Sequence, residues 1–252
     1  MIKTVFLFVI AVSWAIPSFS QQSTFEEANA LIEERNYREA LSLYHTIAEG
    51  PHHSGGLWLN MGVAYSQLDS LGKAKFYFMR SQQYPETATL AHDALNYVEN
   101  RLSRRSAVLP ELPWNRFLNW MEAELGLRNL LFIALFLVNT AAALLLASWF
   151  FAGPAPAFRK SSVAAVVLSL LLFASAGLIH YNQIRYGTGV VVERQTRLLH
   201  QPAEESASVN TMYEGFEMRV DYHRSEEADG WFYVRAANGQ FGWIRQDTIQ
   251  HF

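Results

Sequence analysis

The sequence predicts a multidomain membrane protein in three parts: an α-helical solenoid, a two-helix transmembrane hairpin and a small all-β barrel. Three observations carry this reading. Residues 24–85 repeat themselves with a period of 34. Residues 129–158 contain no Asp, Glu, Lys or Arg, and a second uncharged run occupies 163–181. Residues 187–252 break into short alternating runs punctuated by Gly and by Asn238-Gly239. The hydrophobic fraction of 50% over 252 residues is ordinary as an average. Its uneven distribution excludes a single soluble globule.

The chain opens with Lys3, an apolar run from Val5 to Ile16 and the breaker Pro17, followed by Ser18-Phe19-Ser20 with small residues two apart. This order is that of a signal peptide, 1–20, cleaved after Ser20. Twelve helical residues rise about 18 Å, short of a hydrocarbon core of about 30 Å. The alternative is an uncleaved anchor. Either way the segment that follows is expected to be exported.

Residues 21–105 contain the repeat. Ala28, Leu31, Ala40, Tyr44 and Ile47 recur as Gly62, Tyr65, Ala74, Phe78 and Ser81, each 34 positions on. Small residues at Ala28, Gly62, Ala40 and Ala74 let paired helices approach, and Leu31, Tyr44, Tyr65 and Phe78 fill the space between them. Ser23-x-x-Glu26 and Asn36-x-x-Glu39 read as helix-start capping boxes. The second copy, with Trp58, Met61, Gly62, Tyr65, Ala74, Phe78, Ser81 and Pro85, resembles the tetratricopeptide repeat (TPR). The units run about 24–53 and 55–87. The first departs from the pattern at Thr24 and His52. Two units need a terminal cover, and 87–104 supplies one, with Leu90, Ala91, Ala94, Leu95, Val98 and Leu102 at helical spacing. The resemblance implies a partner-binding groove on the first helix of each unit, formed by Phe25, Asn29, Ile32 and Glu33, then Leu59, Val63, Ser66 and Gln67. The alternative is that several of these pack against the cap or the membrane-proximal segment.

The linker at 106–128 carries Trp114, Phe117, Leu118, Met121 and Leu125 on one helical stripe, which suits an interfacial amphipathic helix or one docked on the repeat cap. Helices at 129–151 and 163–181 are long enough to span a bilayer. The loop 152–162 holds Arg159 and Lys160, placed in the cytoplasm by the positive-inside rule, with Pro154 and Pro156 stopping the first helix. Asn139, Ala143 and Ala147 share a face of the first span, and Ala165 and Ser169 form a small pair in the second. We expect the spans to pack on these faces, with Asn139 as hydrogen-bonding glue. Neither span holds an acidic or basic residue that would mark a transport path.

In 187–252, Glu214-Gly215, Gly230-Trp231-Phe232-Tyr233-Val234 and Asn238-Gly239-Gln240-Phe241-Gly242-Trp243-Ile244 resemble the bacterial SH3-type domain. Asn238-Gly239 is a hairpin turn signal. Trp231, Tyr233, Phe241 and Trp243 are candidates for a peptide groove, with packing of the barrel as the alternative.

Charge and composition exclude other classes. Residues 21–105 carry eight Lys/Arg against ten Asp/Glu, and 185–252 seven against ten, so neither flank has the basic footprint of a nucleic-acid binder. The absence of Cys removes disulfides, thiol nucleophiles and zinc-thiolate sites. Eight His fall into no metal-ligand spacing, and no Gly-rich loop ends in Lys-Ser/Thr. No catalytic residue, metal or cofactor is expected.

The order of signal peptide, repeats, two spans and SH3-like module resembles the BatE-type family of the Bacteroides aerotolerance operon. That resemblance implies an inner-membrane scaffold with both flanking modules periplasmic, in aerotolerance or envelope stress. Its partners would be other Bat-type membrane proteins and a MoxR-type ATPase. The alternatives are a sensor that binds peptidoglycan and, lower, an enzyme with an unrecognised site.

Overall fold

The computed structural model describes residues 22–252 apart from 52, 111 and 152. The expected signal peptide and His52 lie outside the described residues. The chain divides into two units: 22–108 with Thr188–Phe252, and Leu109–Gly187.

In the first unit, α1 (helical at 22–33), α2 (Tyr37–Ala48), α3 (Gly55–Gln67), α4 (Leu71–Gln82) and α5 (Ala88–Arg101) follow in order. The positions repeated at 34 are the core positions: Ala28, Ala40, Tyr44 and Ala74 are fully buried, as is Ser81, and Phe78 lies against Gly62. Ser81 replaces the Ile47 of the first copy. Its hydroxyl donates to the Gly55 carbonyl at 2.9 Å, and Thr87 donates to its own carbonyl at 2.8 Å, so this buried polar pair is satisfied. The cap expected at 87–104 forms as α5, with Ala91, Leu95 and Val98 buried, but Leu90 faces outward. The helix-start expectations need correction. Ser23 already lies within α1, and Asn36 donates to Glu34 rather than capping α2. The side-chain cap that does form is Ser54, which accepts from the Leu57 amide at 3.2 Å.

The β part has β1 (Tyr186–Val191), β2 (Gln195–Leu199), β3 (Ser208–Tyr213), β4 (Glu217–Asp221), β5 (Trp231–Ala236), β6 (Phe241–Arg245) and β7 (Ile249–His251), with the one-turn helix α6 (Tyr222–Ser225) after β4. The sheet order is β3-β2-β6-β5-β4-β1-β7. The order is open at β3 and β7, so the strands form an open sheet where a closed barrel was expected. The β7 edge is protected another way: it is three residues long, and Phe76 of α4 meets Phe252 beyond it, ring centroids 5.5 Å apart.

Strand β1 explains why helices and sheet form one unit. Val191 enters the sheet core with Val220, Val234 and Ile244, while Val190 enters the helical core with Tyr44, Trp58 and Tyr77. Successive strand residues point to opposite faces. The adjacent apolar pair Val190-Val191 is therefore that of a strand end buried on both sides. Around it, Lys75 of α4, only 6% exposed, bridges Glu99 at 3.0 Å and Glu217 at 2.7 Å. The Gly72 amide donates to Glu214 at 2.8 Å. A Cβ at position 72 would stand 2.4 Å from the Val191 carbonyl oxygen, so only glycine admits this approach.

In the second unit two helical runs are long and apolar enough to cross a membrane: α7 (Pro113–Phe150) and α8 (Ala155–Arg185). Gly126, at φ +71°, breaks α7 into an amphipathic front piece and the long apolar helix. Met121 of the front piece is buried with Leu130, Ala176 and Ile179, while Trp114, Phe117 and Trp120 face outward. Much of the expected loop 152–162 is helical. Pro156 occupies the first turn of α8, where a missing N–H costs nothing, so here proline starts a helix as well as ending one.

The two helices pack antiparallel, but on another face than the one expected. Ala134, Ala141 and Ser148 are buried on α7, and Ser162, Ser169 and Ala176 on α8, each set spaced by seven. Ser162 donates to the Ala141 carbonyl and Ser169 to that of Ala134, both at 2.8 Å. Of the predicted set only Ser169 is buried; Ala147 and Ala165 are half-buried at the margin, and Asn139 and Ala143 point outward. Asn139 satisfies its amide on the Leu135 carbonyl of its own helix at 2.8 Å. It therefore needs no partner across the helix pair.

Candidate binding surfaces

The eight groove candidates do not assemble into one open face. Phe25 tilts against Tyr44 at 5.9 Å between ring centroids, and Ile32 joins the same core. Asn29 is a structural hub: its Oδ1 accepts from Tyr44 at 2.7 Å and from Asn60 at 2.8 Å. Leu59 and Val63 pack in the cluster that α5 closes with Leu95 and Val98. Ser66 is buried, and its carbonyl accepts from Arg101 at 3.4 Å. Glu33 and Gln67 alone of the eight are exposed. The cap occupies much of the face that the repeat pattern assigns to a partner.

The aromatic candidates of the sheet do come together. Residues two apart share a face, so Trp231, Tyr233 and Arg235 on β5 oppose Arg245, Trp243 and Phe241 on β6 in antiparallel register. Tyr233 meets Trp243 edge-on at 5.3 Å and stacks near Phe241 at 6.3 Å. Arg224 lies 3.8 Å above Tyr233, and Arg235 lies 5.3 Å from the Phe241 ring. Phe241 is half exposed, while Trp243 is buried. Trp231 stands apart, opposite Arg245, whose guanidinium is held by Asp247 and Glu204. Asp247 and Glu204 raise the Arg245 pKa, and the hydrogen bond from Arg245 lowers that of Asp247.

A third site has no counterpart in the sequence reading. Between α4 and the β7 end of the sheet lies a pocket of about 420 Å³. Phe76, Tyr77 and Arg80 line one side; Phe232, Gln246, Ile249, Gln250 and His251 line the other. Phe76 and Arg80 are four apart on one helix and share a face. The Arg80 guanidinium rests 3.7 Å above Trp58, and burial lowers its pKa, with Tyr77 and Tyr84 opposing. Tyr77 is pushed up to about 12, chiefly by burial and then by Tyr65, with Gln250 and Arg80 opposing. His251 packs edge-on against Phe232 at 4.7 Å and pairs with Tyr222 at 3.0 Å; desolvation holds its pKa below the usual histidine value. The signal that could have revealed this site is the apolar stretch Phe76-Tyr77-Phe78: a helix in a repeat pair needs only one buried stripe, and α4 buries side chains beyond it.

Among the described residues no group of three His, Asp or Glu converges as a metal-binding set. No protein-family model matches the chain, and no curated protein matches it.

Proposed function

We propose that the chain is a non-enzymatic membrane scaffold of BatE type, anchored by two spans in a bacterial inner membrane, with its TPR-like helices and SH3-like sheet on the periplasmic side. It works by holding other proteins, of which Bat-type membrane proteins and a MoxR-type ATPase are the expected partners. The observation that carries the reading is the shared core. Val190, which follows the two long helices in sequence, is buried among helices that precede them. Flanks that share a core must lie on one side of a bilayer, which supports an even number of crossings. Export by residues 1–20 and the charges of Arg159 and Lys160 support the periplasm as that side.

Two experiments test this. A reporter enzyme active only in the cytosol, fused after Phe252, is expected to stay silent; activity overturns the topology. Cross-linking of the membrane-embedded full chain, followed by mass spectrometry, is expected to trap a defined set of membrane proteins.

The half-exposed ring of Phe241, flanked by Tyr233 and Arg235, supports a second reading, a peptidoglycan-binding sensor. Sedimentation with purified sacculi separates the two. The full chain in detergent is the correct reagent, because a fragment beginning at 187 would expose Val190.

A further inference from the structure

We infer that the pocket between α4 and β7 binds the free carboxylate end of a peptide. The inference deepens the scaffold reading, and rests on it, by naming the chemistry that a partner must present.

Arg80 is the first argument. Its guanidinium offers five N–H donors, yet its contacts are the faces of Trp58 at 3.7 Å and Phe76 at 5.8 Å. It makes no hydrogen bond or ion pair to any described residue. Ring faces hold a cation in place but leave its in-plane donors free. A planar carboxylate fits that fork in two parallel hydrogen bonds. The partial burial that lowers the Arg80 pKa also makes an incoming anion more favourable there than at an open surface.

The wall beside that fork is the second. Phe76, Phe232 and Ile249 line the same pocket, so a carboxylate held by Arg80 sits next to apolar surface. A carboxylate with an apolar side chain on the adjacent carbon describes the last residue of a peptide. Two sources share this chemistry, the C-terminus of a protein and the stem peptide of the cell wall.

The test uses the full chain in detergent micelles and fluorescein-labelled tetrapeptides read by anisotropy. One peptide ends in a free L-Phe carboxylate, one in the corresponding amide, and one in D-alanyl-D-alanine. The free acid is expected to bind at least tenfold more tightly than the amide. Arg80→Met, which keeps the stem over Trp58, is expected to abolish that preference, and Arg80→Lys to retain part of it. Tighter binding of the L-Phe acid assigns the site to protein termini; tighter binding of the D-alanyl peptide assigns it to the cell wall, and both support the proposal. Equal binding of acid and amide by the unaltered chain overturns it without recourse to any variant. No binding of either, with the membrane cross-links still present, overturns the pocket and leaves the scaffold reading standing.

Discussion

The repeat-and-sheet unit and the long stretch where the hairpin helices cross bury different mixtures of side chain. The first fills its interior chiefly with large side chains such as Tyr44, Trp58, Phe78, Leu198 and Ile244, with a few paired polar groups such as Lys75 and Ser81 among them. The second places Ala134, Ala141, Ser162 and Ser169 inside and turns large residues out, with Phe136 69% and Leu170 62% exposed. The difference is the one expected if the first unit packs in water and the two long apolar helices pack in lipid. In water, burying large apolar surface drives packing, at about 25 cal/mol per Å². Between lipid-soluble helices that drive is absent, so close approach and interhelical hydrogen bonds take over, and small residues permit both. The serines show this most directly, since each spends its hydroxyl on a carbonyl of the other helix.

Perturbations of the two units should separate along the same line. The largest effect is expected from removing both carboxylates of the Lys75 cluster. The double variant Glu99→Gln with Glu217→Gln leaves a buried ammonium without a counter-ion, at a cost of about 3–5 kcal/mol. Thermal unfolding followed by near-ultraviolet circular dichroism reads it, and Lys75→Met should be much milder because the two glutamates are half exposed to water. Next comes Gly72→Ala, which drives a methyl group into the Val191 carbonyl and should cost about 1–3 kcal/mol by the same measurement. An unchanged midpoint would mean that helices and sheet do not share a core.

The hairpin should respond more weakly. Loss of either cross-helix serine bond, by Ser162→Ala or Ser169→Ala, is expected to cost about 0.6 kcal/mol in helix association, while Asn139→Leu costs nothing measurable there. The chain has no Cys, so paired replacements report the face directly. Ala134→Cys with Ser169→Cys should form a disulfide in membranes, and Asn139→Cys with Ala165→Cys should not. The reverse result would restore the Asn139 face.

The smallest effect is that of pH on the first unit. His45 is held below its usual pKa by burial and then by Lys73, with Glu49 opposing, and His251 by burial. A histidine with a depressed folded pKa binds fewer protons folded than unfolded. Its contribution is therefore complete above the unfolded value of about 6.5 and is lost as pH falls toward the folded value. The unfolding midpoint should drop between pH 7 and pH 5, and His45→Gln should flatten that slope while keeping a partner for the Tyr65 hydroxyl.

Several features were legible because they are local or periodic. The spacing of 34 marks core positions in both copies, the uncharged runs mark two long apolar helices, and alternation with Asn238-Gly239 marks the β5–β6 hairpin. The groove residues were misjudged for a reason the period cannot carry. Leu59 and Val63 occupy positions that face a partner in a long array, but with two copies the cap reaches them first. The helix-pair face was misjudged because Asn139 was assumed to need a neighbour, when a carbonyl four residues back was enough.

What the chain order alone determined is the kind of each segment: helix, span or strand follows from hydrophobic period and run length, which neighbours in sequence establish among themselves. What the tertiary structure decided is which segments share an interior. Val190 and Tyr44 are 146 positions apart, with both long helices between them. The pocket lined by Arg80 and Gln250 exists only once that junction closes. No period links the two sides of such a junction, because their fit depends on surfaces that only folding brings together.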